Sequence, residues 1–203
     1  GAEAAVLADL TATAGVNPQD IAGYDIVTVD AQEPQLIGAR KEFLASARLD
    51  NLLSTFAGMR AMAEHKSRDD APIALFVAND HEEVGSASRS GAAGPFLEDV
   101  LARLYAALGA NDEERRRAFN RSIVVSSDVG HSIHPNYPER HDPANQPVAA
   151  RGPILKINAD QRYATDAHGA AFWARACAHA GIQYQEFVSN NSMPCGSTIG
   201  PIT

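Results

Sequence analysis

An α/β fold is predicted by two short, wholly apolar runs and by the helical periodicity that surrounds them. Residues 73–78 read Ile-Ala-Leu-Phe-Val-Ala, and Ile123-Val124-Val125 forms a second run. Runs without a polar alternate position suit strands buried on both faces, as in a parallel sheet covered by helices. Strands alternating with helices then imply an α/β architecture with a mainly parallel sheet.

Taken in order, residues 2–14 have helical composition and stop at Gly15. Asn17-Pro18 is a turn signal, residues 24–30 predict a strand, and Pro34 marks the loop that follows. Leu49, Leu52, Leu53, Phe56, Met59 and Ala63 recur at helical spacing. After a polar loop comes the apolar run at 73–78. Helical periodicity returns over 96–108, and the charge run at 113–117 reads as the solvated face of a short helix. The second buried strand is expected at 122–126, followed by a long loop over 129–151 rich in His, Pro and Asn. A strand at 154–157, a helix at 166–180 and a strand at 184–188 complete the pattern, with a Gly- and Pro-containing loop over 190–203.

The 203 residues suffice for a domain with a sizeable core. At 45% hydrophobic and 21% charged, the composition is that of a globular protein. A net charge of −8 argues against nucleic acid and anionic membranes as partners. No apolar run reaches transmembrane length, and no basic segment precedes the N-terminal apolar stretch to suggest a signal peptide. Cys177 and Cys195 stand far apart, outside any metal-like spacing, so a reducing, cytoplasmic setting is expected.

The acids fall where ligands bind in such folds, beyond the carboxyl ends of the strands. The run at 73–78 leads into Asn79-Asp80-His81-Glu82-Glu83, and the run at 123–125 leads into Ser126-Ser127-Asp128. Asp50 precedes the first long helix, where it reads either as a cap or as a site residue. Asp128 reads either as a turn former or as a site residue. Adjacent Glu82 and Glu83 repel each other unless a cation or a proton intervenes, and the small, tight Val84-Gly85-Ser86 follows them. Carboxylates so placed suit a binuclear metal site, in which a glutamate that binds no metal can take a proton from water.

Five ordered segments carry a resemblance to a known family. They are 42–52 (Glu-Phe-Leu-Ala-Ser-Ala-Arg-Leu-Asp-Asn-Leu), 79–86 (Asn-Asp-His-Glu-Glu-Val-Gly-Ser), Asp128 through His131 to His134-Pro135-Asn136-Tyr137, Lys156-Ile157-Asn158 through Gln161-Arg162-Tyr163-Ala164, and 194–201 (Pro-Cys-Gly-Ser-Thr-Ile-Gly-Pro). The sequence resembles the aspartyl aminopeptidases, dizinc metallopeptidases of the aminopeptidase I family. The resemblance implies an αβα sandwich of zinc-peptidase type with a mainly parallel or mixed sheet. Residues 1–38 would be the tail of an inserted dimerisation domain, and 39–203 the central part of the catalytic domain.

The resemblance also implies roles. Asp50 would bridge two zinc ions, with Glu83 and Asp128 as terminal ligands; cobalt or manganese would fit the same oxygen donors. Glu82 would be the general base that activates the metal-bridging water. Lys156 and Tyr163 would lie near an acidic substrate side chain, and His131 near the substrate or the metals. Lys156 also reads as a surface strand lysine, and His131 and His134 as loop residues holding a turn beside Pro135. Residues 194–198 would offer backbone donors to a peptide substrate, and Cys195 reads as a small buried residue rather than a nucleophile. His65, His141, His168 and His179 read as surface or helix-face residues. Two histidine ligands of the family, in His-Thr-Asp and Met-His-Ser segments, have no counterpart in these residues. The expected activity is removal of N-terminal Asp or Glu from peptides by a homo-oligomeric enzyme. A neutral or broad aminopeptidase, or an inactive structural piece, is the alternative.

Overall fold

The computed structural model describes residues 1–160 and 162–188. The predicted loop over 190–203, with the motif at 194–201 and Cys195, lies outside the described residues, as does Gln161 of the fourth motif. The chain divides into two compact units, Gly1–Ala47 and Arg48–Thr203.

In the first unit, helix α1 (Ala2–Ala14) ends at Gly15, whose φ of 69° turns the chain so that its N–H reaches the carbonyls of Thr11 and Ala12. Strands β1 (Gln35–Ile37) and β2 (Phe43–Ala45) form an antiparallel hairpin with Leu36 opposite Leu44. The predicted strand at 24–30 is not formed. Its residues Tyr24, Ile26, Val27 and Val29 are exposed, and a β-prone stretch becomes a strand only when a neighbour completes its hydrogen-bond ladder.

In the second unit, helix α2 (Leu49–Glu64) begins irregularly: Asp50 and Asn51 hold non-helical φ/ψ, and Arg48 sits at φ 64°. The Asp50–Asn51 peptide bond is cis. Further along α2, Gly58 seats the ring of Phe76, since a Cβ there would lie only 2.4 Å from Phe76 Cε2. That close approach lays α2 against the segment that carries Glu82 and Glu83.

The runs at 73–78 and 122–126 form no ladder among the described residues. Ile73 is 73% and Val124 is 62% exposed. Runs apolar at every position are built to be covered on both faces, and the described residues supply no hydrogen-bonded neighbour for either. Helices α3 (Phe96–Ala107) and α4 (Asp112–Arg121) meet through an edge-on contact of Tyr105 with Phe119, ring centroids 5.5 Å apart. Asn111 and Glu114 form a reciprocal capping box at the start of α4. Its charge run is a largely solvated face as predicted, with an exposed ion pair from Arg117 to Glu113 and another from the half-buried Arg115 to the exposed Asp112.

The clearest α/β unit is β3 (Ile154–Ile157), α5 (Ala167–Ala180) and β4 (Gln185–Val188). β3 and β4 pair in parallel, Ile154 beside Gln185 through to Ile157 beside Val188. Parallel neighbours need a crossover of about a dozen residues or more, and α5 supplies it. The Asp166 side chain caps α5 by accepting from the Gly169 N–H, and Gly181 ends it at φ 67°. The loop before β3 is tied to β4 by the Gln185 side chain, which accepts from Val148 N–H and donates to Val148 O. Cys177 on α5 and Phe187 on β4 are buried apolar residues of this unit.

Candidate active site

α2 positions Asp50 from one side and the segment after residue 125 positions Asp128 from the other. Two hydrogen bonds tie these elements beside the carboxylates. Asn51 Nδ2 donates to the Ser127 carbonyl at 3.2 Å, and Ser127 Oγ donates to Ser54 Oγ at 3.0 Å. Residues more than 70 positions apart in sequence are thereby brought into contact.

The two carboxyl groups themselves interact. Desolvation raises the Asp50 pKa above the ordinary Asp value. The negative charges of Asp128 and Glu82 raise it further, as does a side-chain hydrogen bond to Asp128 that favours the protonated Asp50 carboxyl. Lys156 opposes the rise. Since Asp50 is exposed as a residue, the neighbouring charges are the more telling cause: like-charged groups have been brought together.

Lys156, on β3, answers that crowding. Its ammonium donates to Asp128 Oδ2 at 3.2 Å and lies 5.6 Å from the centroid of the Tyr163 ring. Its side chain is 29% exposed, so it is a partly enclosed lysine and not a free surface one.

Glu82 and Glu83 stand in a tight turn. Asp80 Oδ1 accepts from the His81 N–H, and the Gly85 N–H reaches the Glu82 carbonyl at 3.1 Å. Gly85 takes φ 114°, which a side-chain-bearing residue rarely adopts. The charge of Glu82 is felt at Asp50. Glu83 is exposed, and among the described residues no three His, Cys, Asp or Glu side chains converge closely enough to hold a metal ion. The structure therefore brings together Asp50, Asp128 and Lys156, with Glu82 within electrostatic reach, and leaves Glu83 outside that contact. The touching carboxylates fit a divalent cation in their chemistry: hard oxygen donors whose mutual repulsion a cation relieves.

Of the histidines, His134 holds a turn, its Nδ1 accepting from the Asn136 N–H and its ring 5.1 Å from Tyr137. His131 packs edge-on against His141 at 5.1 Å and Phe187 at 5.7 Å. His141 is the departure from expectation. It is 5% exposed, with neither ring nitrogen hydrogen-bonded. Burial and then the neighbouring His131 lower its pKa. It is buried because β4 presents Phe187 to the loop, a contact with no periodic trace in the loop's own sequence. Asn51, Ser54 and Ser127 were likewise missed as individual residues, although Asn51 and Ser127 adjoin residues that sequence had singled out.

Comparison with known proteins gives one consistent answer. The family described as Aminopeptidase I zinc metalloprotease (M18) matches residues 2–203. The chain is 48% identical over 200 residues to a probable M18 family aminopeptidase 2 of Streptomyces avermitilis, covering 98% of this chain and 46% of that protein. A protein of the same description from Streptomyces coelicolor is 49% identical over 200 residues, with the same coverage. The chain thus spans about half the length of the relatives it matches. Among solved structures, the Ape4 and Nbr1 complex aligns with TM-score 0.74 at 36% identity, over 92% of this chain and 36% of that one. The S. cerevesiae mApe1 dodecamer aligns at 0.67 and 28% identity, over 97% of this chain and 44% of that one. An M18 aminopeptidase from Thermotoga maritima shares the fold, with TM-score 0.75 at 22% identity, over 97% of this chain and 45% of that one.

Proposed function

Because the chain belongs to the aminopeptidase I zinc metalloprotease family (M18), we propose that it contributes the carboxylate side of a metal-dependent aminopeptidase centre. The reaction is hydrolysis of N-terminal residues, acidic ones by preference, from peptides. The observation that carries the reading is the contact of Asp50 with Asp128, charge-coupled to Glu82 and flanked by Lys156.

In this reading Asp50, Glu83 and Asp128 would hold the zinc, Asp50 as the shared ligand and Glu83 and Asp128 as terminal ones. Two ions per centre accord with Asp50 as the shared ligand, and cobalt or manganese would suit the same oxygen donors. Zinc, when bound, supplies Lewis-acid polarisation of the scissile carbonyl and lowers the pKa of water. The chain's own residues do the rest. Glu82 takes the proton of the attacking water and returns it to the departing amine. Lys156 offers its ammonium to the substrate's side-chain carboxylate, a charge-assisted bond that a neutral side chain cannot make. Tyr163, whose ring centroid lies 5.6 Å from the Lys156 ammonium, would line the same spot, and His131 would serve near the substrate or the metals. Residues 1–38 fit the tail of an inserted dimerisation domain and 39–203 the middle of the catalytic domain. By analogy with the dodecameric relative, the full-length protein is a homo-oligomer. Among the described residues no helix is long and apolar enough to cross a membrane, and a cytoplasmic enzyme acting on peptides accords with the cysteine usage.

The test is hydrolysis of Asp-, Glu- and Leu-terminal substrates by the full-length protein, before and after chelation and with zinc restored. Chelation should abolish turnover and zinc should restore it, with the acidic substrates preferred. Turnover indifferent to chelation overturns the metal reading, and a clear preference for Leu overturns the acidic one.

A further inference from the structure

We infer that Asn51, seconded by Ser54, is a positioning residue for the metal centre: its side chain is a bracket tying the turn that carries Asp50 to the residue directly before Asp128. The inference rests on the reading of those two carboxylates as metal ligands.

The argument starts from the backbone. A carboxylate inside a regular helix is aimed by the helix, but Asp50 is not in one. Asp50 and Asn51 have φ/ψ of −85°, 111° and −115°, 27°, and Arg48 before them is left-handed. The i to i−4 ladder resumes with the Leu52 N–H on the Arg48 carbonyl at 3.1 Å. Helical geometry therefore does not hold the residue that must face Asp128.

Something else has to hold it, because the pair is mutually repulsive when ionised. The Asn51 amide does so by donating to the carbonyl of Ser127, the residue directly before Asp128. The Ser127 hydroxyl makes a second link to Ser54. The two bonds run between the same two elements, one at the Ser127 carbonyl and one at its hydroxyl. The bonds the structure gives Asn51 and Ser54 here both end on Ser127: the Asn51 amide donates to its carbonyl, and the Ser54 hydroxyl accepts from its hydroxyl. Their contribution is geometry. Groups that orient ligands in this way commonly matter by about 10–100-fold in metal affinity.

The experiment uses the full-length protein and measures the zinc dissociation constant by chelator competition, zinc content by elemental analysis, and the melting temperature of the metal-stripped form. Asn51→Leu keeps the branched shape and neutrality but removes the donor. It should weaken zinc binding about 10–100-fold while the metal-stripped melting temperature stays near that of the parent. Should Asn51→Leu fail to fold, Ser54→Ala removes only the second link and should weaken zinc binding about two- to tenfold, the worth of one modest hydrogen bond. Parental zinc affinity in Asn51→Leu, or in Ser54→Ala where only that variant folds, overturns the bracket. So does a fall in the stripped-form melting temperature without a loss of zinc affinity. Asp128→Asn is the control on the premise. If it loses zinc while Asn51→Leu does not, the bracket alone fails; if it retains full zinc affinity, the ligand reading fails and the bracket with it.

Discussion

Lys156 reaches from strand β3 to within 3.2 Å of the Asp128 carboxylate. One ammonium thus adjoins both Asp128 and the Tyr163 ring, and under the proposed function it would be a specificity group beside the metal ligands.

If Lys156 receives the acidic side chain of the substrate, Lys156→Met should act selectively. A hydrogen bond to a charged group is worth about 1.5–3 kcal/mol. In the full-length enzyme kcat/KM for Asp-terminal peptides should therefore fall about 10–100-fold, with little change for Leu-terminal ones. An equal fall for both classes would mean that Lys156 serves the carboxylates and not the substrate.

Glu82 offers a different separation. If Glu82 is the general base of the proposed reaction, it moves protons without holding metal, and Glu82→Gln should keep zinc content at the parental level. Its kcat should drop by about 10²–10⁴, the usual contribution of such a group. Parental turnover would remove Glu82 from the mechanism, and loss of zinc would recast it as a ligand.

The parts of the fold that could be read in the sequence were those written in local chemistry. Gly15 and Gly181 stop helices where the predicted helices end, and the 113–117 charge run is a solvated face. The β3, α5, β4 unit follows from periodicity and spacing. The apolar pattern of the runs at 73–78 and 123–125 predicts buried strands, but a ladder is a property of two segments, and the partners are not written in either run. The site divides the same way. Asp50, Glu82 and Asp128 were visible as acids at element ends, and Lys156 as a motif residue. That the Asn51 amide would meet the Ser127 carbonyl, or that Phe187 would bury His141, depends on contacts between residues dozens of positions apart.

Asp166 caps α5, the crossover that joins the Lys156 strand to β4. The bond from the Gly169 N–H is the first cause of its lowered pKa. A carboxylate depressed below its usual 3.8 contributes stability above that value and loses it as pH falls through the lower folded pKa. Asp166→Ala should therefore melt below the parent at pH 7. The gap should narrow once pH drops under the normal carboxylate range. A gap that is constant from pH 7 to pH 2.5 would show that the cap's charge contributes nothing.

His141 gives the opposite sign. Its ring is buried against His131 and Phe187 without a hydrogen bond, and its pKa is lowered from the usual 6.5. Above about 6.5 both folded and unfolded chains carry it neutral, so its effect on stability is flat there. Below that value the unfolded chain takes up a proton that the folded one refuses, and stability declines as pH falls toward the folded pKa. His141→Phe keeps the aromatic edge contacts and removes the proton site. Melting curves between pH 8 and pH 5 should show the parent losing more melting temperature than the variant. Equal losses would mean that His141 accepts its proton within the fold, and its burial would then place no acid limit on the loop that carries His131.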